Sequence, residues 1–164
     1  MTLYTLIDSP VGELLLTGEK STDGTTLTSL SMPDGRGAGA DRRRDDPAFT
    51  EATRQLSAYF AGHLTRFRLP FAAQGTEFQQ RVWRALDEIP YGTTTTYGVL
   101  AGRLGVPRAE IRALGAAIGA NPLLLVRPCH RVIGADGSMR GYAGGVERKV
   151  RLLTHEGALQ PMLG

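Results

Sequence analysis

YGVLAGRLGVPRAEIRALGAAIGA, residues 97–120, decides how the second half of this chain folds. Its apolar spacing predicts one helix over about Tyr97 to Leu104 and another over about Arg108 to Ala120. Between them Gly105-Val106-Pro107 places a glycine at the exit of one helix and a proline near the entry of the next. Two short helices joined this way are compatible with a helix-turn-helix. In the second helix Ile111, Leu114 and Ile118 supply an inward face. The neighbouring face, Arg112, Gly115 or Ala116, and Gly119, is nearly bare and allows a partner to approach the backbone closely. Two readings stand at this point: packing of another helix through small residues, or contact with DNA. If the helix binds DNA, it offers one intruding arginine and reads shape and phosphates with little sequence preference.

Upstream, TEFQQRVWRALDEI (76–89) reads as a helix with Thr76 as N-cap and Phe78, Val82, Leu86 and Ile89 as its apolar face, stopped by Pro90-Tyr91-Gly92. The pattern changes at Ala72-Ala73-Gln74-Gly75, the expected junction between a domain over 1–74 and another over 75–164. Before it, LYTLI (3–7), ELLLT (13–17) and TTLTSLSM (25–32) read as short strands, the first two joined by a turn at Asp8-Ser9-Pro10-Val11-Gly12. The stretch from Pro33 to Pro47 reads as a loop. Its Arg42-Arg43-Arg44 run is read as self-neutralised by Asp41, Asp45 and Asp46 in preference to a nucleic-acid contact. A helix from Pro47 to Leu64, carrying Phe49, Leu56, Tyr59 and Phe60, covers the sheet, and FRLPF (67–71) follows as an extended segment. The fold expected is an α/β N-terminal domain followed by a mainly α C-terminal domain.

The chain has 164 residues and 17.6 kDa, 41% hydrophobic and 21% charged, which suits one large domain or two small ones and disfavours disorder or a coiled coil. No apolar run approaches the roughly 18 to 20 residues of a membrane span, and no cationic region precedes the first apolar stretch, so a soluble cytoplasmic protein is the default expectation. Residues 1–75 hold 8 Lys+Arg against 9 Asp+Glu, and residues 76–164 hold 11 against 7, so the net +3 is −1 plus +4. The basic second half points to a polyanionic partner.

There is one cysteine, Cys129, which excludes an internal disulfide or a Cys-rich zinc site. The apolar run Leu123 to Val126 reads as a strand that delivers the chain to Pro128-Cys129-His130-Arg131. Proline and two cationic neighbours are surroundings that favour a thiolate. Adjacent strand residues face opposite ways, so His130 is expected to reach the sulfur through a water or a turn. Glu156, in the tail THEG, is the candidate to orient His130, which gives a Cys/His/Glu constellation. A lone cysteine is more often a buried small hydrophobe, but Pro, His and Arg are poor core residues and favour the chemical reading here. His63 reads as exposed, and His155 lacks the adjacent cysteine.

The strings FQQRVWRALDEIPYGTTTTYG (78–98), GANP (119–122), PCHRVIG (128–134), GYAGGVERK (141–149) and LLTHEG (152–157) resemble the O6-alkylguanine-DNA alkyltransferases, also called methylated-DNA-protein-cysteine methyltransferases. The likeness covers about Gly75 to Gly157, with the N-terminal half similar in pattern and in its DSPVG turn. It implies a ribonuclease-H-like N-terminal sheet and a winged-helix-like C-terminal domain whose helix-turn-helix enters the DNA minor groove. The damaged guanine leaves the base stack, since its O6 alkyl carbon is otherwise out of reach. By resemblance, Cys129 accepts the alkyl group, His130 through a water and Glu156 take the thiol proton, and Asn121 braces the turn beside it. Arg112 fills the space of the flipped base, and Gly115, Ala116 and Gly119 line the DNA face. Tyr97 crowds the target phosphate and donates a hydrogen bond to the guanine. Val132, Tyr142, Ala143 and Gly144 bound the substrate pocket.

The resemblance implies stoichiometric, suicidal transfer from O6 of guanine in duplex DNA, with O4 of thymine as a second position. It implies no cofactor and no metal, because members with a structural zinc use additional N-terminal cysteines. The expected partner is double-stranded DNA containing O6-alkylguanine, with no membrane and no obligatory protein partner; the protein is expected to be a monomer, with cooperativity on DNA left open. The alternatives are a cysteine hydrolase using Cys129, His130 and Glu156, or a non-catalytic lesion sensor. Three departures stand out. Arg127 replaces the usual apolar residue before Pro128 and is expected near the alkyl pocket or the DNA. The interval from Tyr97 to Arg112 is one residue longer, with Arg108 as the substitute finger, and Ala143 stands where some members have serine.

Overall fold

The computed structural model describes residues 2–22, 24–33, 42–139 and 141–159, in two compact units, Met1–Gln74 and Gly75–Gly164. The first is a four-stranded sheet in the order β3-β2-β1-β4, with one helix. Strand β1 (Thr2–Ile7) and β2 (Leu14–Ser21) form an antiparallel hairpin registered from Leu3 opposite Gly18 to Ile7 opposite Leu14. The turn between them closes through reciprocal backbone bonds between Ser9 and Gly12, at 2.9 and 3.1 Å, with Gly12 at φ 102. Strand β3 (Gly24–Ser31) extends the meander, with a bulge at Thr17 and Gly18. Leu3, Leu14, Leu16, Leu27 and Leu30 are buried from this sheet, as are Phe49, Leu56 and Tyr59 from the segment that includes helix α1 (Thr50–Phe60).

Gly18 lets that segment settle on the sheet, since a Cβ there would lie 3.2 Å from the Phe49 ring and 2.7 Å from the Thr26 carbonyl. The extended 67–71 segment is fastened twice. Gln55 bonds both the Arg68 N–H and its carbonyl, at 2.8 and 3.0 Å, and Leu27 pairs with the backbone of Pro70 and Ala72.

One expectation fails here. Arg42–Arg44 is a short strand, β4, running parallel to β1, and not a loop. Its side chains are exposed, and Arg43 and Arg44 pair with Asp45 and Asp46 at 3.7 and 2.9 Å, which is the neutralisation expected of them. Residues 34–41, including Arg36 and Asp41, lie outside the described residues.

The second unit is mainly helical. Helix α2 (Glu77–Leu86) begins with a capping box in which Thr76 accepts from the Gln79 N–H and Gln79 returns the bond to the Thr76 N–H. Helix α3 (Tyr97–Leu104) ends at Gly105 in the left-handed conformation, φ 68, as its place before Val106-Pro107 suggests. The next helix starts later than its apolar spacing implies: Arg108–Glu110 is a 3-10 turn, and α4 proper covers Ile111–Gly119. Val82, Trp83, Leu86, Leu100, Leu114, Ile118, Leu152 and Leu153 form the core, where the Trp83 Nε1–H donates to the Ala117 carbonyl at 2.8 Å. A two-residue parallel ladder pairs β5 (Thr95–Thr96) with β6 (Val132–Ile133), and helix α5 (Val146–His155) closes the unit. No helix among the described residues is long and apolar enough to cross a membrane.

Candidate active site

The approach to Cys129 is a tight turn and not the expected strand. Leu125 sits at φ 69, the left-handed region that costs a residue with a side chain about 1–2 kcal/mol. Asn121 compensates for it: its Oδ1 accepts from the Leu123 N–H at 3.1 Å, and its Nδ2 donates to the carbonyls of Leu123 and Arg127 at 3.3 and 3.0 Å. The Arg127 N–H returns to the Leu123 carbonyl at 2.9 Å, and the Cys129 N–H reaches the Arg127 carbonyl at 2.7 Å. An apolar run therefore packs as a buried loop because one asparagine satisfies its backbone, and Cys129 begins a 3-10 turn, Cys129–Arg131.

That turn sends three consecutive polar side chains into the interior. Cys129 is 5% exposed, His130 is fully buried, and Arg131 is buried beside Glu156 at the end of α5. His130 Nε2 lies 2.8 Å from Glu156 Oε2, so the orienting role expected of Glu156 has its geometry. Arg131 holds the same carboxylate with two prongs, Nε to Oε1 at 2.8 Å and Nη2 to Oε2 at 3.0 Å, while its Nη1 donates to the Ile89 carbonyl at 2.7 Å. Burial alone would raise the Glu156 pKa, but the hydrogen bonds from His130 and Arg131, with their charges, hold it at about 2. An ionised Glu156 places the imidazole proton on Nε2. Nδ1, which has no hydrogen-bond partner among the described residues, keeps its lone pair. Burial depresses the His130 pKa against the pull of Glu156, so the ring is neutral at pH 7 and able to act as a base.

The cysteine itself differs from expectation. Burial pushes its thiol up to about 11, only partly offset by the Asn121 amide, the Lys149 charge and a backbone bond. The resting group is a thiol, and the cationic neighbours do not make it a thiolate, because Arg131 spends its charge on Glu156. Lys149, fully buried on α5, donates through Nζ to the Val132 carbonyl at 2.6 Å and brings a positive charge near the sulfur. The sequence marks Arg131 only as a cationic neighbour of the thiol, not as the partner of Glu156, and Lys149 does not stand out as a site residue. Both lie inside the motif strings PCHRVIG and GYAGGVERK, and the signal available was that each is a charge beside residues bound for the interior.

Tyr97, the first residue of α3, is carried to the site by the β5–β6 ladder, which pairs Thr96 with Ile133. Burial raises its pKa, with a further contribution from Cys129. Of the pocket residues, Val132 and Gly144 are buried, and Tyr142 is buried with its ring centroid 6.3 Å from that of His130. Ala143 is exposed. Arg127 turns to α2, with Nε 3.3 Å from Asp87 Oδ1 and its guanidinium 6.0 Å from the Trp83 ring centroid. On α4, Leu114, Ala117 and Ile118 are buried while Arg112, Ala116 and Gly119 are exposed and Gly115 is half-buried. A Cβ at Gly115 or Gly119 would meet nothing within 4 Å, so the small residues do not serve to pack a neighbouring described helix. Among the described residues no cluster of His, Cys, Asp and Glu has the makings of a metal site.

Residues 2–73 match the family described as 6-O-methylguanine DNA methyltransferase, ribonuclease-like domain, and residues 77–158 match its DNA binding domain. A Mycobacterium bovis protein named methylated-DNA--protein-cysteine methyltransferase is 47% identical over 160 residues, covering 96% of this chain and 94% of its own length. The crystal structure of Mycobacterium tuberculosis O6-methylguanine methyltransferase superposes with a TM-score of 0.87 at 46% identity, covering 98% of this chain and 96% of that one. That of Mycobacterium tuberculosis OGT in complex with DNA gives 0.86 at 47% identity, covering 95% and 93%. The α/β first unit and helical second unit are the architecture these relatives share.

Proposed function

Because the chain belongs to the 6-O-methylguanine DNA methyltransferase family, we propose that it repairs duplex DNA by moving an alkyl group from O6 of guanine to Cys129. The observation that carries the reading is the buried Cys129-His130-Arg131 turn, whose histidine is aligned by Glu156 with one ring nitrogen left to accept a proton. The hydrolase and lesion-sensor readings are not favoured by this family membership.

The thiol is about 4 pKa units (11 − 7) above neutrality, so ionising it unaided costs on the order of 5 kcal/mol. A base is therefore part of the step. The thiol proton passes by way of solvent to His130 Nδ1, whose new charge Glu156 stabilises, and Lys149 favours the thiolate as it forms. The thiolate attacks the alkyl carbon in line with O6: the S–C bond forms, the C–O6 bond breaks, and its electron pair goes to the base. Tyr97 donates a hydrogen bond that stabilises the departing base, which takes a proton from solvent to be released as neutral guanine while His130 returns its own to solvent, and Val132, Tyr142, Ala143 and Gly144 bound its pocket. The product is a thioether. Nothing in the site activates a thioether for cleavage, so each molecule transfers once.

The exposed face of α4 faces the minor groove in this reading, with Gly115, Ala116 and Gly119 allowing close approach and Arg112 occupying the space of the extruded base. The protein acts as a cytoplasmic monomer without cofactor or metal, and O4 of thymine is a second position for the same attack. Incubation with duplex bearing O6-methylguanine is expected to leave one methyl group on Cys129 per chain. Repeated turnover, or transfer by Cys129→Ala, overturns the reading.

A further inference from the structure

The hydroxyl of Tyr97 ends against the backbone of Gly141, a residue not among those named for the pocket. A Cβ built on Gly141 would lie 2.8 Å from Tyr97 Oη and 3.9 Å from Tyr97 Cζ. No Cβ approaches an oxygen that closely, so the hydroxyl holds its place only because position 141 has no side chain. The glycine also has φ 91, a conformation that side chains rarely adopt.

Two other constraints already act on the tyrosine. Its backbone is fixed as the first residue of α3, and the β5–β6 ladder ties the preceding Thr95 and Thr96 to Val132 and Ile133, just after the Cys129 turn. Those constraints fix where the ring starts. Gly141, at the head of the 141–145 loop, fixes where its hydroxyl stops.

We propose that Gly141 is a positioning residue for the transfer, its missing side chain setting where Tyr97 presents its hydroxyl at the Cys129 site. This rests on the reading above, in which that hydroxyl donates to the departing base. A donor must come within about 2.6–3.2 Å of its acceptor to assist departure, so displacement of Oη by a methyl group is enough to remove the assistance. The atom displaced is the outer end of a side chain. The contact is relieved by swinging Tyr97, and the fold is kept.

The test is a double-mutant cycle on the single-turnover rate of transfer from methylated duplex to Cys129. Gly141→Ala and Tyr97→Phe are each expected to slow transfer roughly tenfold, the worth of one well-placed hydrogen bond. In the Tyr97→Phe background Oη is gone and the next ring atom is 3.9 Å away, so adding Gly141→Ala is expected to change the rate by less than about twofold. Backbone strain at φ 91 is present in both backgrounds, lowers both thermal midpoints alike and cancels in the cycle. Equal fold-losses in the two backgrounds, or no loss from Gly141→Ala in the wild-type chain, overturn the proposal. If the wild-type chain transfers nothing, it is the functional reading that fails; if it transfers and the losses are additive, only the role of Gly141 does.

Discussion

Arg131 and Glu156, 25 residues apart in sequence, form a two-pronged buried ion pair at 2.8 and 3.0 Å, and the same carboxylate orients His130. His130 and the arginine together keep Glu156 charged in the interior. Removing one partner of such a pair leaves an uncompensated buried charge, at a cost of about 3–5 kcal/mol. Arg131→Met is therefore expected to destabilise the chain by that order in denaturant unfolding. Arg131→Lys, which keeps the charge and loses the fork, is expected to recover part of the stability but not the full transfer rate, because His130 is then less firmly aligned.

The same pair makes acid stability specific. Glu156 is held at about 2 against an ordinary value of 4.5, so its contribution is fully present above 4.5 and is lost as pH falls towards 2. His130 acts in the same direction: its folded pKa lies below 6.5, so the unfolded chain takes up the proton first and stability declines as pH drops below 6.5. The rate of transfer is expected to be flat through neutrality and to fall at lower pH as His130 becomes protonated, which a rate profile across pH 4 to 8 checks. A rate that rises as pH falls is incompatible with His130 as the base.

The thiol gives the opposite limb. Its folded value of about 11 lies above the ordinary 9, so the unfolded chain ionises first and stability falls as pH rises from 9 to 11. Two units correspond to roughly 3 kcal/mol. The difference in unfolding free energy between the wild type and Cys129→Ser is expected to shift by that amount over this range, with the wild type losing. A difference independent of pH would mean the thiol is not buried in the neutral form.

Much of the second unit was legible because its signals are local. Thr76 and Gln79 meet within a single turn, and Gly105 ends α3 by its own conformation. The site was half legible: Cys129, His130 and Glu156 are conspicuous residue types, and Glu156 sits where it can orient His130. The rest depended on distant partners. Three arginines carry no alternation that marks a strand, and only the free edge of β1 makes β4 one. Leu123 to Val126 has strand composition, yet the Asn121 side chain supplies hydrogen bonds that a sheet would otherwise provide. Arg131 reads as an activating neighbour of the thiol and Lys149 as a surface cation until Glu156 and the Val132 carbonyl are seen to receive them.

Asn121 holds three bonds of that turn, so Asn121→Ala is expected to cost about 1–3 kcal/mol by leaving buried backbone groups unpaired. The left-handed Leu125 would relax, and Cys129 would lose the fixed backbone that keeps it 5% exposed. Faster reaction of the thiol with an aromatic disulfide, together with slower transfer from DNA, is the expected signature. Unchanged thiol reactivity would show that the surrounding core holds the turn without the asparagine.

Arg112 separates extrusion from chemistry. It stands exposed on α4, on the same side of the helix as Ala116 and Gly119, and is not part of the Cys129 cluster. Arg112→Ala is expected to slow repair of methylated duplex while leaving reaction with a free O6-alkylguanine base nearly unchanged, since a free base has no stack to leave. Affinity for duplex is expected to fall with added salt in both proteins, because phosphate contacts release counterions, and with a shallower slope in the variant only if Arg112 also touches a phosphate. Equal losses on duplex and free base would place Arg112 in the transfer step itself. Unchanged repair of duplex, with a loss in Arg108→Ala, would move the finger to the 3-10 turn before α4.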